Sequence, residues 1–573
     1  MYIESVPNRN SPPAILLRES YRDAGKIKKR TIANLSDWPT EIVEGLRTLL
    51  KGGKVAPADQ ESIIVRRALP HGHVAAVLGT LRNIGLDRML GPPRNRCRDL
   101  VIAMIVARLI APASKLATAR MLDPLTASSS LGEVLGLGPV DEDELYVALD
   151  WLGERQEAIE KALARKHLHD GTLVLYDVSS SYVEGRCCEL ARLGYNRDGK
   201  KGLLQVNYGL LTDARGCPVA VSVHEGNTAD SRTFMPAVHK LREDFGIERM
   251  VMVGDRGMVS QKAIDEMREA DGIGWITALK SASIRALLEQ GHLQMDLFDE
   301  RNLLELSSPD YPGERLVACR NEALARLRAH KREELLAATE RHLEKIKARV
   351  DAGKLSGQDA IGVRVGKIIN QYKVAKHFDL SIADAALSWA RKQDSLASEA
   401  ALDGLYIVRT SVPATQMDAP ECVRNYKSLA NVERAFRSLK TIDLKVRPIH
   451  HRKADRVRAH IFLCMLAYYV EWHLREAWRE LMFADTEQQA KATRDPVAPA
   501  QRSASAQAKA ATHCLSDGTP AHSFATLMAE LANLVRNTCR TPNAGPDAPT
   551  FELTTTPEPT HERALALVQA IHP

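Results

Sequence analysis

Leu173-Val-Leu-Tyr-Asp177 is a short apolar run closed by a single acid, and Met250-Val-Met-Val-Gly-Asp255 repeats that pattern farther on. Runs this short and this apolar predict strands buried on both faces. Between them lie Val206-Asn-Tyr-Gly-Leu-Leu211 and Pro218-Val-Ala-Val-Ser-Val223, two further strands joined by a turn at Asp213-Ala-Arg-Gly216. A helix over about 234 to 244 precedes the strand that ends at Asp255. Another covers 261 to 270, and Trp275-Ile-Thr-Ala-Leu279 is a fifth strand.

The order β-β-β-α-β-α-β, with acids closing the first and fourth strands, is a ribonuclease H-like order. The expected fold class is therefore α/β: a ribonuclease H-like mixed sheet flanked by helices, with a helical N-terminal region and an α+β insertion. Parallel neighbours would set Asp177 and Asp255 side by side at one edge of the sheet.

A third acid completes the pattern. In Tyr426-Lys-Ser-Leu-Ala-Asn-Val-Glu433-Arg-Ala-Phe-Arg437-Ser-Leu-Lys440 one carboxylate stands in a basic, helix-forming stretch. The chain carries a net charge of only +6 over 573 residues, so total charge identifies no partner. Its distribution is more telling: Arg424, Lys427, Arg434, Arg437, Lys440, Lys445, Arg447, Arg452, Lys453, Arg456 and Arg458 face only Glu433, Asp443 and Asp455 between residues 424 and 460. Such clustering marks a phosphate-facing surface.

The acids have a chemical rationale. In-line displacement at a phosphodiester builds negative charge on the attacking and leaving oxygens, and two hard cations about 3.5 to 4 Å apart offset it. Magnesium takes oxygen ligands and retains waters, so a few carboxylates suffice to hold Mg²⁺ or Mn²⁺. Asp177, Asp255 and Glu433 are the candidate catalytic and metal-holding set. Glu225 and Asp230 are read as loop residues shaping the site, and Asp213 as a turn residue.

Five segments are expected. Residues 1–60 form a β-hairpin, with its turn at Asp23-Ala-Gly25, and a short helix. Residues 61–168 are helical, broken at Gly91-Pro-Pro93, Pro112 and Pro124, with a capping box at Asp141-x-x-Glu144 opening one long helix to about Lys166. Residues 169–280 and 403–480 form the catalytic core, and 281–402 an α+β insertion with a long charged helix from about 322 to 350. The apolar set of that helix is Leu324, Leu327, Leu335, Leu336, Leu343 and Ile346. Residues 481–573 are read as a flexible linker and a short helix. Nine scattered cysteines without a C-x-x-C pair predict reduced thiols, and no apolar run is long enough to span a bilayer. The expected setting is the cytoplasm, beside the nucleoid, with no membrane partner.

These stretches resemble the DDE-type insertion-sequence transposases. One group of that family carries Y-x(2)-R-x(3)-E-x(6)-K around its last acid, and Tyr426, Glu433 and Lys440 stand at the matching positions. Leu429 occupies the arginine position. Gly194-Tyr-Asn-Arg-Asp198, Gly226-Asn-Thr-Ala-Asp230, Gly254-Asp-Arg-Gly257, Arg447-Pro-Ile449 and Pro112-Ala-Ser-Lys115 are also similar to the family.

The resemblance implies an enzyme that binds the terminal inverted repeats of its own element as a homo-oligomer on double-stranded DNA. It would cut one strand to free a 3′ hydroxyl and join that end to target DNA without a covalent protein–DNA intermediate. Tyr426 and Lys440 would hold phosphate, with Arg437 replacing the missing arginine. Residues 61–168 would supply DNA-end binding. The alternatives are a ribonuclease H-like DNA nuclease, or a catalytically inactive transposase-derived DNA-binding regulator.

Overall fold

A computed structural model describes the chain except for residues 10, 24, 54–62, 186, 201, 295–297, 488–492, 542–548 and 573. Ala24, in the expected hairpin turn, lies outside the described residues, as does part of the 481–573 segment. The chain divides into two compact units: residues 1–68 with 535–555, and residues 69–534 with 556–573.

In the first unit β1 (Tyr2–Val6), β2 (Ala14–Asp23) and β3 (Lys26–Asn34) form an antiparallel sheet, followed by α1 (Thr40–Leu50). A second sheet has the order β16-β15-β4, from Phe551–Thr554, Val535–Arg540 and Ile64–Pro70.

The second unit opens with helices α2 (Gly72–Asn83), α3 (Leu86–Leu90), α4 (Arg96–Ile110), α5 (Lys115–Leu122), α6 (Leu131–Val134), α7 (Glu142–Gly153) and α8 (Gln156–His167). The Asp141/Glu144 capping box forms. However, the expected long helix stops at Gly153, and a new one starts at Gln156.

The sheet that follows is mixed, in the order β10-β11-β14-β9-β8-β5-β6-β7. Its strands are β5 (Thr172–Tyr182), β6 (Gln205–Asp213), β7 (Pro218–Glu225), β8 (Met250–Val253), β9 (Ile273–Ala278), β10 (Leu303–Leu306), β11 (Arg315–Arg320) and β14 (Leu405–Thr410). The β7-β6-β5-β8-β9 portion, antiparallel on one side of β5 and parallel on the other, is the ribonuclease H-like core. Helices α9 (Ser231–His239) and α10 (Gln261–Glu269) make its crossovers.

β5 does not end at Asp177. It pairs antiparallel with β6 from Val174 to Tyr182, and Ser179-Ser180-Ser181 continue the strand in full burial. Two of their hydroxyls find partners there: Ser181 Oγ lies 2.9 Å from Tyr208 Oη, and Ser180 Oγ accepts from the Arg197 backbone at 3.3 Å. A strand that switches from apolar to hydroxyl residues at its midpoint cannot be followed by apolarity alone.

The 281–402 segment is not wholly an insertion beside the sheet. After α11 (Ser281–Glu289), β10 and β11 extend the sheet through β14. Only α12 (Glu322–Asp351), α13 (Gln358–Ile369), α14 (Gln393–Ala400) and the β12–β13 hairpin (Phe378–Ala383, Ala386–Arg391) gather around a separate small core. Leu327 on α12 is exposed, outside the expected apolar stripe.

Helices α15 (Ala419–Lys427), α16 (Leu429–Arg437) and α17 (Ala454–Ala477) complete the unit. α17 is buried nearly all round, because α2, α4, α7 and β7 pack against it. The N-terminal helices therefore share one continuous core with the sheet rather than forming a detachable module. The expected linker also carries structure. Ser503 caps a helix, Ala504–Thr512, whose Lys509 donates to the carbonyls of Glu480, Met482 and Ala484. Helices Phe524–Ala532 and Pro559–Gln569 follow.

Gly209 of β6 stands opposite Val178, and a Cβ there would lie 2.1 Å from Tyr176 Oη and 2.7 Å from its ring. Tyr176 has no room to move, packed on Phe234 and donating to Thr233 O at 3.2 Å. Gly209→Ala is therefore expected to destabilise the protein by roughly 1–3 kcal/mol through overpacking. A melting temperature equal to wild type would refute this.

Candidate active site

The parallel pairing of β5 with β8 ends at Leu175 opposite Val253. Asp177 and Asp255 each lie two residues beyond that last pair, at the same height and with the same strand parity. Asp255 begins a turn in which its own carbonyl accepts from Met258 N at 2.9 Å.

α16 brings the third acid. Its apolar face (Leu429, Val432, Ala435, Phe436) is buried against β5, with Phe436 edge-on to Tyr208 at 5.7 Å. Glu433 and Arg437 project from the other face. The expected single helix over 426–440 is broken twice. Ser428 Oγ bonds back to Asn425 O at 2.5 Å where α15 gives way to α16, and after Arg437 the chain winds into a π-helical turn, Ser438–Ile442. Leu429, at the family's arginine position, is thus buried in the apolar face of α16.

Asp177, Asp255 and Glu433 line one open cleft of about 440 Å³, together with Arg197, Asp198, Asp230, Arg437, Lys440 and Arg447. Arg434, also exposed on α16, is not among its lining residues. Tyr426 reaches the trio from α15, its hydroxyl donating to Asp255 Oδ1 at 3.3 Å. Burial, reinforced by the Asp255 carboxylate, holds the Tyr426 phenol well above its usual range.

Lys440, the expected phosphate holder, lines this cleft. Its ammonium pairs with Asp198 Oδ1 at 3.1 Å, and Arg447 pairs with the same oxygen. Burial pushes the Lys440 ammonium down, opposed by Asp198. Asp198 is almost wholly buried, and its Oδ2 has no hydrogen-bond partner. Arg197 grips Asp230 through both carboxylate oxygens at 2.6 and 2.5 Å. Arg197, Asp198 and Arg447 were not singled out as site residues. They lie in the family-like blocks at 194–198 and 447–449, but Asp198 meets Lys440 across 242 positions of sequence, which leaves no local signal. Asp230 lines the cleft, as expected of a loop residue shaping it, whereas Glu225 lies near Arg192 and Asp213 is held by the Arg215 and Cys217 backbone amides.

Asp177 is partly buried and in no ion pair among the described residues. Burial pushes its carboxyl up to about 7, with Asp255 and Glu433 adding to the rise against a backbone hydrogen bond and Arg197. Three carboxylates lining one cleft, all hard oxygen donors with no ion pair among the described residues, fit a divalent cation.

The chain belongs to the family defined by the transposase DDE domain, which matches residues 168–470. The N-terminal domain of IS1634 family transposases matches residues 3–61. This is an insertion-sequence DNA transposase, from a family of enzymes that cut and join DNA and generally use divalent metal ions. Among solved structures it is similar to a cryo-EM structure of the piggyBac transposase synaptic complex with hairpin DNA. That likeness covers 80% of this chain and 76% of that one, at 9% identity and a TM-score of 0.34. Among curated proteins nothing matches. No single helix among the described residues is long and apolar enough to cross a membrane, although the bent pair α4–α5 passes by length and composition.

Because folding raises the Asp177 carboxyl from 3.8 to about 7, the folded protein holds a proton that the unfolded chain releases. Stability of the metal-free protein should therefore fall as pH rises across that interval. Asp177→Asn mimics the protonated state, so in chelator it should melt higher than wild type at pH 8 and about equally at pH 4. Melting curves at the two pH values check this, and a variant less stable than wild type at pH 8 would contradict it.

Proposed function

We propose that this chain cuts DNA at the terminal inverted repeats of its own element and joins the freed 3′ ends to target DNA, with Asp177, Asp255 and Glu433 holding Mg²⁺ or Mn²⁺. The observation that carries the reading is the shared end of the β5–β8 pairing, which sets two acids level at the cleft where α16 offers the third. When bound, divalent cations supply positive charge to the attacking and leaving oxygens of an in-line displacement.

The chain's own groups then have distinct tasks. Asp177, the least exposed of the three, would hold a cation only in its ionised form, so holding one would require release of the carboxyl proton. Tyr426 orients the Asp255 carboxylate by donating to its Oδ1. Asp198 keeps Lys440 and Arg447 at the rim, where a DNA phosphate competes for their donors. In the first step the phosphodiester bond to the 3′ oxygen breaks as water adds to phosphorus, and the 3′ oxygen leaves as a hydroxyl. In the second, that hydroxyl displaces the 3′ oxygen of a target phosphodiester, so the number of phosphodiester bonds is conserved. Residues 61–168 contribute to end binding, and a homo-oligomer on DNA brings two ends together.

Asp177→Asn, Asp255→Asn and Glu433→Gln should each abolish nicking of an end fragment while leaving its gel shift largely intact, since affinity comes mainly from phosphate contacts. Mg²⁺ should raise the melting temperature of the wild type but not of the triple variant. Near-normal nicking by any one variant, or full activity in excess chelator, would remove the residue or the metal from the reading.

Arg437, one turn beyond Glu433, lines the cleft on the side where a strand would lie. A charge-assisted phosphate contact is worth roughly 1.5–3 kcal/mol, so Arg437→Ala should slow strand cleavage about tenfold or more. Arg434→Ala should do much less. Equal, small effects in a single-turnover assay would take Arg437 out of the site.

A further inference from the structure

Lys115 and Arg108 are both buried, at 6% and 7% exposure, where α4 and α5 meet the segment after Asp443. Neither enters an ion pair among the described residues. Arg108 reaches only the Leu444 carbonyl, at 3.5 Å. The titratable groups around Lys115 are Arg108, Cys464, His451 and His460, with no carboxylate among them. His451 and His460 lie 4.9 Å apart, and burial keeps both imidazoles neutral. Burial and Arg108 push the Lys115 ammonium down to about 7.

Two buried cations without a counter-charge are costly, and the guanidinium cannot relieve the cost by shedding its proton. A nearby anion offsets it. The same segment presents exposed Lys445, Arg452 and Lys453, none of them ion-paired among the described residues. Its Arg447 lines the acid cleft. The segment that carries Arg447 to the cleft therefore also bears three exposed cations and, at Leu444, the carbonyl that Arg108 reaches.

We propose that Lys115 and Arg108 form the floor of a phosphate site for the DNA backbone, so that a strand leaving the acid cleft crosses residues 447–453 and sets one phosphate over Lys115. This rests on the reading of the cleft as the DNA-cutting site. The ligand chemistry, a phosphate monoanion, is shared by the DNA backbone and by free inorganic phosphate, and the test separates them.

Full-length Lys115→Met and Lys115→Arg are titrated with a random-sequence duplex in Ca²⁺ over a range of salt. Lys115→Met should bind about tenfold more weakly at low salt, with a slope of log affinity against log salt shallower by about 0.9. Lys115→Arg should keep the slope. Lys115→Met removes a buried charge and should fold. As a second measurement, acetylation of Lys115 in the wild type, read by mass spectrometry, should be suppressed by the duplex. Inorganic phosphate at the same total phosphate concentration should not suppress it. An unchanged slope in Lys115→Met, equal acetylation with and without duplex, or protection by inorganic phosphate alone would each overturn the proposal. A wild type that binds the duplex while Lys115→Met matches it sinks this proposal alone, whereas a wild type that binds no DNA sinks the cleft reading with it.

Discussion

The site depends on a mismatch in strand pairing at β5. On one side β5 is held by β6 along nearly its whole length, and on the other by only the four residues of β8. Where β8 ends, β5 continues with one flank unpaired, and Asp177 stands at that point. Asp255 leaves the sheet at the same level. The opening needs a rigid central strand beside a short one, and the antiparallel β5–β6–β7 ladder supplies the rigidity. Glu433 then needs only a helix with one apolar face against β5, which Leu429, Val432, Ala435 and Phe436 provide.

The same mismatch explains the burial pattern. Beyond Asp177 the serines of β5 are covered by the 194–198 loop and by the bridge from Val183 to Ile449. That bridge ties residues 447–449 to the strand bearing the first acid, so Arg447 arrives at the cleft and meets Asp198. The buried helix α17 anchors this segment from below, through His460 and the Val446 carbonyl at 3.2 Å.

Much of the fold could be read in the sequence, because its signals are local. Short apolar runs gave the strand order, and Asp141 with Glu144 gave a helix start. The three acids could be named because two close such runs and the third stands alone among cations. What escaped depends on tertiary context. The strand expected to close at Asp177 runs on through Ser179 to Ser181, which pair with β6 while Ser180 and Ser181 find hydroxyl partners inside. Leu429 stands where the family signature has a polar arginine, and only the break at Ser428 shows it turned into the apolar face of α16. The Ala- and Ser-rich stretch after 484 read as linker, although Lys509 ties its helix to three carbonyls. Asp198 and Lys440 are each ordinary in sequence, and only the fold makes them a pair.

The charges of the cleft separate the acids into two groups. Asp230 is neutralised by Arg197, and Asp198 by Lys440 and Arg447. Asp177, Asp255 and Glu433 have no ion pair among the described residues, although cations stand in the same cleft. Were the trio merely structural, the simplest arrangement would let those arginines and lysines answer it, as they answer the other two acids. Instead the protein spends its cations on the acids flanking the trio and leaves the trio without a counter-charge; burial holds the Asp177 carboxyl up, and Asp255 and Glu433 add to the rise. Asp198 and Asp230 thus keep the positive side chains in the cleft yet too occupied to collapse onto the three unpaired carboxylates.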